Sequence, residues 1–178
     1  AGPPGGMMDA YATEHTTTMT RSVGDGRLAD YLNDHLAGAD VGVRLAERCA
    51  GEARDRELDD LPASIRHDRE VLQNVMTRLR IAPSKPRRAL ALAVGAVASV
   101  RQRAPIVGSS SREVVALEDA ELLSLGIEGK TLMWRVLKDR ADARLQDVPF
   151  DELIRRARSQ RVVVERHRRR LARHAFAG

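Results

Sequence analysis

Apolar residues recur three or four positions apart in four stretches of the chain, which is the spacing of one face of an α-helix. The pattern predicts a first helix over residues 27–51, with Gly51 as its stop signal, and a second helix over residues 58–80. Pro62 suits the first turn of a helix, so an alternative start of the second helix is at this residue. A third helix is expected to start at Ser111, a good N-cap residue, and a fourth to cover residues 149–174. The predicted fold class is therefore all-α.

Each predicted helix carries one stripe of residues that we assign to the core. The stripes are Leu28, Leu32, His35, Ala39, Val43 and Ala46; Leu61, Ile65, Asp68, Leu72, Val75 and Leu79; Val114, Leu117, Glu121, Leu125, Glu128, Leu132 and Val136; and Phe150, Leu153, Ala157, Gln160, Val164, His167 and Leu171. Gly126 and Gly129 fall inside the third helix and cost it stability. They permit a close helix approach, make room for a bulky neighbour, or mark a break in the segment LGIEGK, and the sequence leaves these alternatives open.

Two stretches lack helical periodicity. Residues 1–26 are rich in Gly, Pro and Thr and predict a flexible N-terminal arm. One interpretation of the six residues before Met7 is a cloning remnant. Residues 81–111 combine prolines, serines and a short apolar run, and they form a connection that is long for adjacent helices. Short 1–2 and 3–4 loops with one long 2–3 connection predict a four-helix bundle over residues 27–178, in which residues 81–111 are the crossover.

Polar or ionisable residues interrupt all four apolar stripes. Buried charges are costly unless they are paired or bound to a metal. With a rise of ~1.5 Å per residue, these groups fall at similar heights and predict a polar layer inside the bundle. One interpretation is a metal site for Fe, Mn or Zn, since carboxylate and imidazole ligands are mixed. Its ligands would be His35, Asp68, Glu121, Glu128 and His167. The other interpretation is a metal-free, structural network of hydrogen bonds that includes Gln160.

Three segments of the chain resemble an uncharacterised bacterial branch of the ferritin-like superfamily. They are YLNDHLAG at 31–38, LGIEGKTLMW at 125–134 and FDELIRRARSQ at 150–160. The resemblance covers roughly residues 27–175 and implies a ferritin-like four-helix bundle with a long crossover. Diiron members of the superfamily carry Glu-x-x-His pairs on two helices, and neither helix 2 nor helix 4 has one here. A degenerate metal site without a bound cofactor is therefore expected.

Composition and charge add one candidate surface. Of the 30 basic residues, 27 are arginines, and nine of these lie in residues 150–178 against three acidic residues, a local net charge of +6. Six arginines of helix 4 project away from its stripe and would bind nucleic acid or an acidic partner without reading sequence. They are Arg155, Arg158, Arg166, Arg169, Arg170 and Arg173. The alternative is a solvated helix face.

The remaining signals limit the compartment and the class of protein. The single Cys49 excludes a disulfide within one chain, and the longest apolar run is too short to span a membrane. We expect a cytoplasmic, non-catalytic bundle that acts as a structural or interaction module and forms a homo-oligomer. The alternatives are a metal-binding or oxidase-type ferritin-like protein and a non-specific nucleic-acid binder that uses helix 4. The sequence leaves open whether the protein is an enzyme.

Overall fold

The computed structural model describes residues 23–52, 56–84 and 112–177, and most of these residues are helical. The four helices are α1 (Val23–Glu52), α2 (Leu61–Arg78), α3 (Arg112–Asp139) and α4 (Phe150–Ala175). Short 3-10 turns at Arg56–Leu58 and Ala143–Leu145 precede α2 and α4. The prediction of an all-α fold is confirmed.

The predicted boundaries need two corrections. Residues 23–26, which we placed in the N-terminal arm, belong to α1. Helix α2 begins at Leu61 after a separate 3-10 turn and not at residue 58, which agrees with the alternative start at Pro62 within one residue. Residues 1–22 of the predicted arm and residues 85–111 of the predicted crossover lie outside the described residues. Within the described ranges, no helix combines the length and the apolar character that crossing a membrane requires.

Two apolar clusters fill the bundle, one toward each end. The first cluster joins Leu32 and Leu36, early in α1, to residues late in α2 and α3 and early in α4, such as Met76 and Trp134. The second cluster joins Leu45, Ala46 and Cys49, late in α1, to residues early in α2 and α3 and late in α4. Hence α1 and α4 run in one direction, while α2 and α3 run in the other.

The core stripes that we predicted for α2 and α4 are confirmed. All six α2 positions are buried, and so are the α4 positions from Phe150 to His167, with Leu171 half-buried. On α1, Leu32 and Ala46 are buried, whereas the other four stripe positions are half-buried.

The predicted stripe of α3 is correct only at its start, where Leu117 is buried and Val114 is half-buried. Leu125, Leu132 and Val136 are 70%, 48% and 48% exposed, and the opposite face, with Leu123 and Ile127, is buried. Apolar residues cover two faces of this helix, so their period does not show which face lies in the core. The helix also continues through LGIEGK, so the alternative of a break there is wrong.

Candidate functional site

A buried carboxylate lies at the middle of the bundle. Asp68 of α2 is 1% exposed, and it stands between Ile65, which belongs to one apolar cluster, and Leu72, which belongs to the other. A charge so far from water must be compensated by donors of neighbouring helices. The hydrogen bonds of this side chain therefore show which residues compensate the buried charge.

Four donated hydrogen bonds satisfy the Asp68 carboxylate. Its Oδ1 accepts from Nε of Arg156 at 2.8 Å and from Nη2 of the same guanidinium. Its Oδ2 accepts from Lys130 Nζ at 2.5 Å and from Gln160 Nε2 at 2.9 Å. Gln160 also accepts from Lys130 Nζ at 2.6 Å and donates to the Ser64 hydroxyl at 2.8 Å. This Asp68 network links α2, α3 and α4 at the midplane.

The Asp68 network carries more positive than negative charge. Among the described residues, Asp68 is the only carboxylate that accepts from Lys130 or Arg156, so two cations share one anion. Burial lowers the pKa of Lys130, the nearby Arg156 lowers it further, and Asp68 opposes both effects. The ammonium has three N–H donors, and two of them are used by Asp68 and Gln160.

A cavity of about 460 Å³ adjoins this network, between α1, α2 and α3. Apolar side chains such as Leu45, Ile65 and Ile127 form most of its wall. At one end, Arg48 and Asp119 form a two-bonded ion pair, with distances of 2.7 and 2.9 Å. Volume and lining are both typical of a site for a small organic molecule.

Four glycines line this one cavity, Gly38 and Gly42 on α1 and Gly126 and Gly129 on α3. A Cβ atom added at Gly38 or Gly126 would meet no described atom within 4 Å. At Gly42 and Gly129 its nearest neighbour would be 3.9 and 4.0 Å away, an ordinary van der Waals contact. None of the four is therefore required for close helix packing, and each costs about 0.5–1 kcal/mol of helix stability relative to alanine.

Polar groups gather at the opposite end of the cavity from the Arg48–Asp119 pair. Lys130 and Trp134 are one helical turn apart on α3, and the half-buried His35 ring of α1 lies against Gly129. The indole Nε1 of Trp134 is buried and has no hydrogen-bond partner in the part of the chain that the structure describes. Burial lowers the pKa of His35, although the Asp34 carboxylate opposes this shift.

The structure separates the five residues that we predicted as metal ligands. Glu121 and Glu128 are 49% and 38% exposed, so our assignment of these two side chains to the interior is wrong. They face arginines of α4: Arg161 donates to Glu128 at 2.8 Å, and Arg168 lies 3.5 Å from Glu121. Long carboxylates on the edge of α3 reach the cationic face of its neighbour more readily than the core.

The other three predicted ligands lie in different environments. Asp68 belongs to the network with Gln160, which our prediction placed at the same height, whereas His35 lies in the cavity wall. His167 is buried, and its Nε2 has no hydrogen-bond partner among the described residues. Across the described ranges, no group of three or more His, Cys, Asp or Glu side chains is placed to hold a metal ion.

Most of the positive charge of α4 faces acidic residues of the bundle. Arg166 donates to Glu57 at 3.1 and 3.2 Å, and Arg169 donates to Glu165 at 2.8 Å. Hydrogen bonds from Arg168 and Arg169 lower the pKa of Glu165 to about 2. Five of the six arginines that we proposed as a binding surface are exposed, and Arg170 is half-buried.

Comparison of this chain with protein-family models, with curated proteins and with solved structures gives no match.

Sequence reasoning missed the roles of Lys130, Arg156 and the four glycines. Lys130 is hard to place because the wrong face of α3 was assigned to the core, and Arg156 is one of nine arginines in its segment. One signal was present in the sequence: Gly38 and Gly42 are four residues apart on one face of α1, as Gly126 and Gly129 are three apart on α3.

The Asp68 network predicts unequal effects of removing its charges. Asp68→Asn leaves two cations without an anion, and we expect it to lower the free energy of unfolding by about 3 kcal/mol. Lys130→Met leaves the Asp68–Arg156 pair balanced and should cost less than about 1.5 kcal/mol. Urea denaturation of both variants measures the difference, and a larger loss for Lys130→Met would contradict this assignment of charges.

The buried histidine of α4 predicts a stability that depends on pH. Burial lowers the pKa of His167, so the unfolded chain binds a proton more readily between the folded pKa and about 6.5. The stability that comes from the neutral His167 ring is therefore fully present above pH ~6.5. It decreases as the pH is lowered below this value, by at most about 1.4 kcal/mol per pH unit for this residue.

The measurement is urea denaturation between pH 7.5 and 5, where His167→Leu should flatten the dependence. Because the pKa of His35 is lowered too, part of the slope should remain in this variant. His174→Leu, at an exposed position in the last turn of α4, is the control and should retain the full slope. An unchanged slope in His167→Leu would show that this ring is not buried in its neutral form.

Proposed function

We propose that this chain is a non-catalytic helical bundle that binds a small, mostly apolar molecule in the cavity between α1, α2 and α3. The cavity combines an apolar wall with a few polar groups at one end, as ligand sites in proteins usually do. It lies between facing helices of a bundle, which is a common position for such sites.

The observation that carries this proposal is the placement of the four glycines. Each lies in a helix interior, where glycine is unfavourable, and each has room for a Cβ atom. Side chains at these positions would reduce the volume of the same cavity. Glycine lowers helix stability at four positions around the same cavity, and the result is that the cavity stays open. Proteins commonly sacrifice stability in this way where a site needs it for function.

Two features support a ferritin-like arrangement within this proposal. Ser84, which donates to Asn33 near the start of α1, and Arg112, which opens α3, lie at opposite ends of the bundle. This supports a crossover between α2 and α3. The Asp68 network fills the midplane, where a metal centre would be expected, with a lysine, an arginine and a glutamine. This supports a degenerate metal site.

The single tryptophan of the chain tests the binding proposal, because Trp134 lines the cavity. With octan-1-ol as a neutral probe, we expect a saturable change in Trp134 fluorescence. The double variant Gly38→Leu/Gly126→Leu should weaken this binding at least about tenfold and stabilise the fold by about 1–2 kcal/mol. Binding lost together with a gain in stability cannot come from misfolding.

The matched control is Gly51→Leu, a similar change on α1 at a glycine that does not line the cavity. This variant should bind octan-1-ol like the wild-type protein. Equal responses of the wild-type protein and the double variant, or no response of the wild-type protein, would contradict the proposal.

The outer face of α3 supports self-association as an interaction role. Exposed Leu122, Leu125, Leu132 and Val136 are three, seven and four residues apart, so they share one helix face with the heptad spacing that helices use to pack in coiled coils. Glu118 lies in the first half of this helix, and Arg135 lies in the second half. Two copies of α3 in antiparallel contact would place Glu118 of each copy toward Arg135 of the other, which suits a twofold-symmetric dimer.

Sedimentation equilibrium tests this role. We expect a dimer for the wild-type chain and a monomer for Leu125→Glu/Leu132→Glu, because charges would then face each other across the twofold axis. Val162→Glu, at an exposed apolar position on α4, is the control and should remain dimeric. A wild-type monomer at high concentration, or a dimer that survives both changes, would contradict this interface.

A further inference from the structure

We propose that the ligand of the cavity is an amphiphile with a single anionic head group, which binds at the cavity end formed by His35, Lys130 and Trp134 with its apolar tail toward Leu45 and Ile65. This inference rests on the proposed function and adds the chemical class of the ligand.

The Asp68 network has an excess of positive charge beside the cavity. Lys130 and Arg156 share one carboxylate among the described residues, which leaves one positive charge in excess beside the cavity. The Lys130 side chain is 14% exposed and lines the cavity. An anion at this end would neutralise the excess charge without disturbing the hydrogen bonds to Asp68.

Lys130 also has a hydrogen-bond donor to spare at this end of the cavity. Two of the three Lys130 N–H groups are directed to Asp68 and Gln160, and the third has no acceptor within the described ranges. A head group with an acceptor oxygen matches this free Lys130 donor, whereas an ammonium head group would meet a like charge.

The acidic residues around the cavity do not reverse the preference for an anionic head group. Asp119 is held by Arg48 at the far end, and Asp68 is already shared by two cations. Asp34, the acidic residue at the His35 end, is exposed to solvent. Arg44 is a further cation in the wall.

Beyond the polar end, the wall is mostly apolar, with Leu45, Ile65 and Ile127, up to the Arg48–Asp119 pair, although Arg44 and Arg69 also contribute to it. Its long direction follows α3 from Trp134 to Asp119, which is 15 residues or roughly 22 Å of helix. An extended alkyl chain of moderate length fits such a space better than a flat polar ring. The lining of the cavity thus places the head group at the polar end and the alkyl tail along the apolar part.

The test compares three probes that share a tail: octanoate, octan-1-ol and octyltrimethylammonium. Trp134 fluorescence and isothermal titration calorimetry should both give octanoate an affinity about tenfold higher than that of octan-1-ol, as expected for one charge-assisted hydrogen bond. The cationic probe should bind most weakly. Equal affinity of octanoate and octan-1-ol, or a preference for the cation, would overturn the inference while the proposed function stands.

Lys130→Met should lower the affinity for octanoate about tenfold and that for octan-1-ol by much less. Retained octan-1-ol binding shows that the cavity survives the substitution. Lys130→Arg should keep the preference for the anion, and Lys138→Met, at a lysine outside the cavity, should have no effect. An octanoate affinity that Lys130→Met leaves unchanged would overturn the role of this lysine. Failure of all three probes to bind the wild-type chain would overturn the proposed function as well.

Discussion

The interior of this bundle depends on one buried carboxylate that two cations share. Asp68 stands between the two apolar clusters and receives hydrogen bonds from α3 and α4. A slip of one helix by a turn, about 5.4 Å, would leave this charge in an apolar environment without partners. The Asp68 network therefore fixes the register of three helices, a role that apolar side chains fill less specifically because they can repack.

The fourth helix, α1, is held in a different way. The Asp68 network does not include it, and ion pairs tie it to its neighbours at the rim: Arg48 with Asp119, and Arg69 with Asp40 at 2.6 Å. Between these pairs α1 presents Gly38 and Gly42 toward the cavity. The bundle thus combines three helices that are joined at the midplane with one helix that forms the outer wall of an open space. A ligand would complete the packing that the glycines leave unfinished.

Sequence periodicity predicted much of the fold and only part of the site. The stripes of α2 and α4 were correct, including Asp68, Gln160 and His167, because these helices have one apolar face each. On α3 two faces are apolar, and only the neighbouring helices decide which one is buried, so Lys130 was missed. Single residues such as Arg156 are equally hard to find, since nothing local separates it from the other arginines of its helix.

The central claim is that the glycines of α1 and α3 keep a binding cavity open and are not required for packing. The most direct test is the free energy of unfolding of a variant with alanine at all four positions, Gly38, Gly42, Gly126 and Gly129. Our account predicts a gain of about 2–4 kcal/mol over the wild-type chain in urea denaturation, because each Cβ atom fits and each helix becomes more favourable. A loss of stability would show that the glycines serve close packing and would contradict the account.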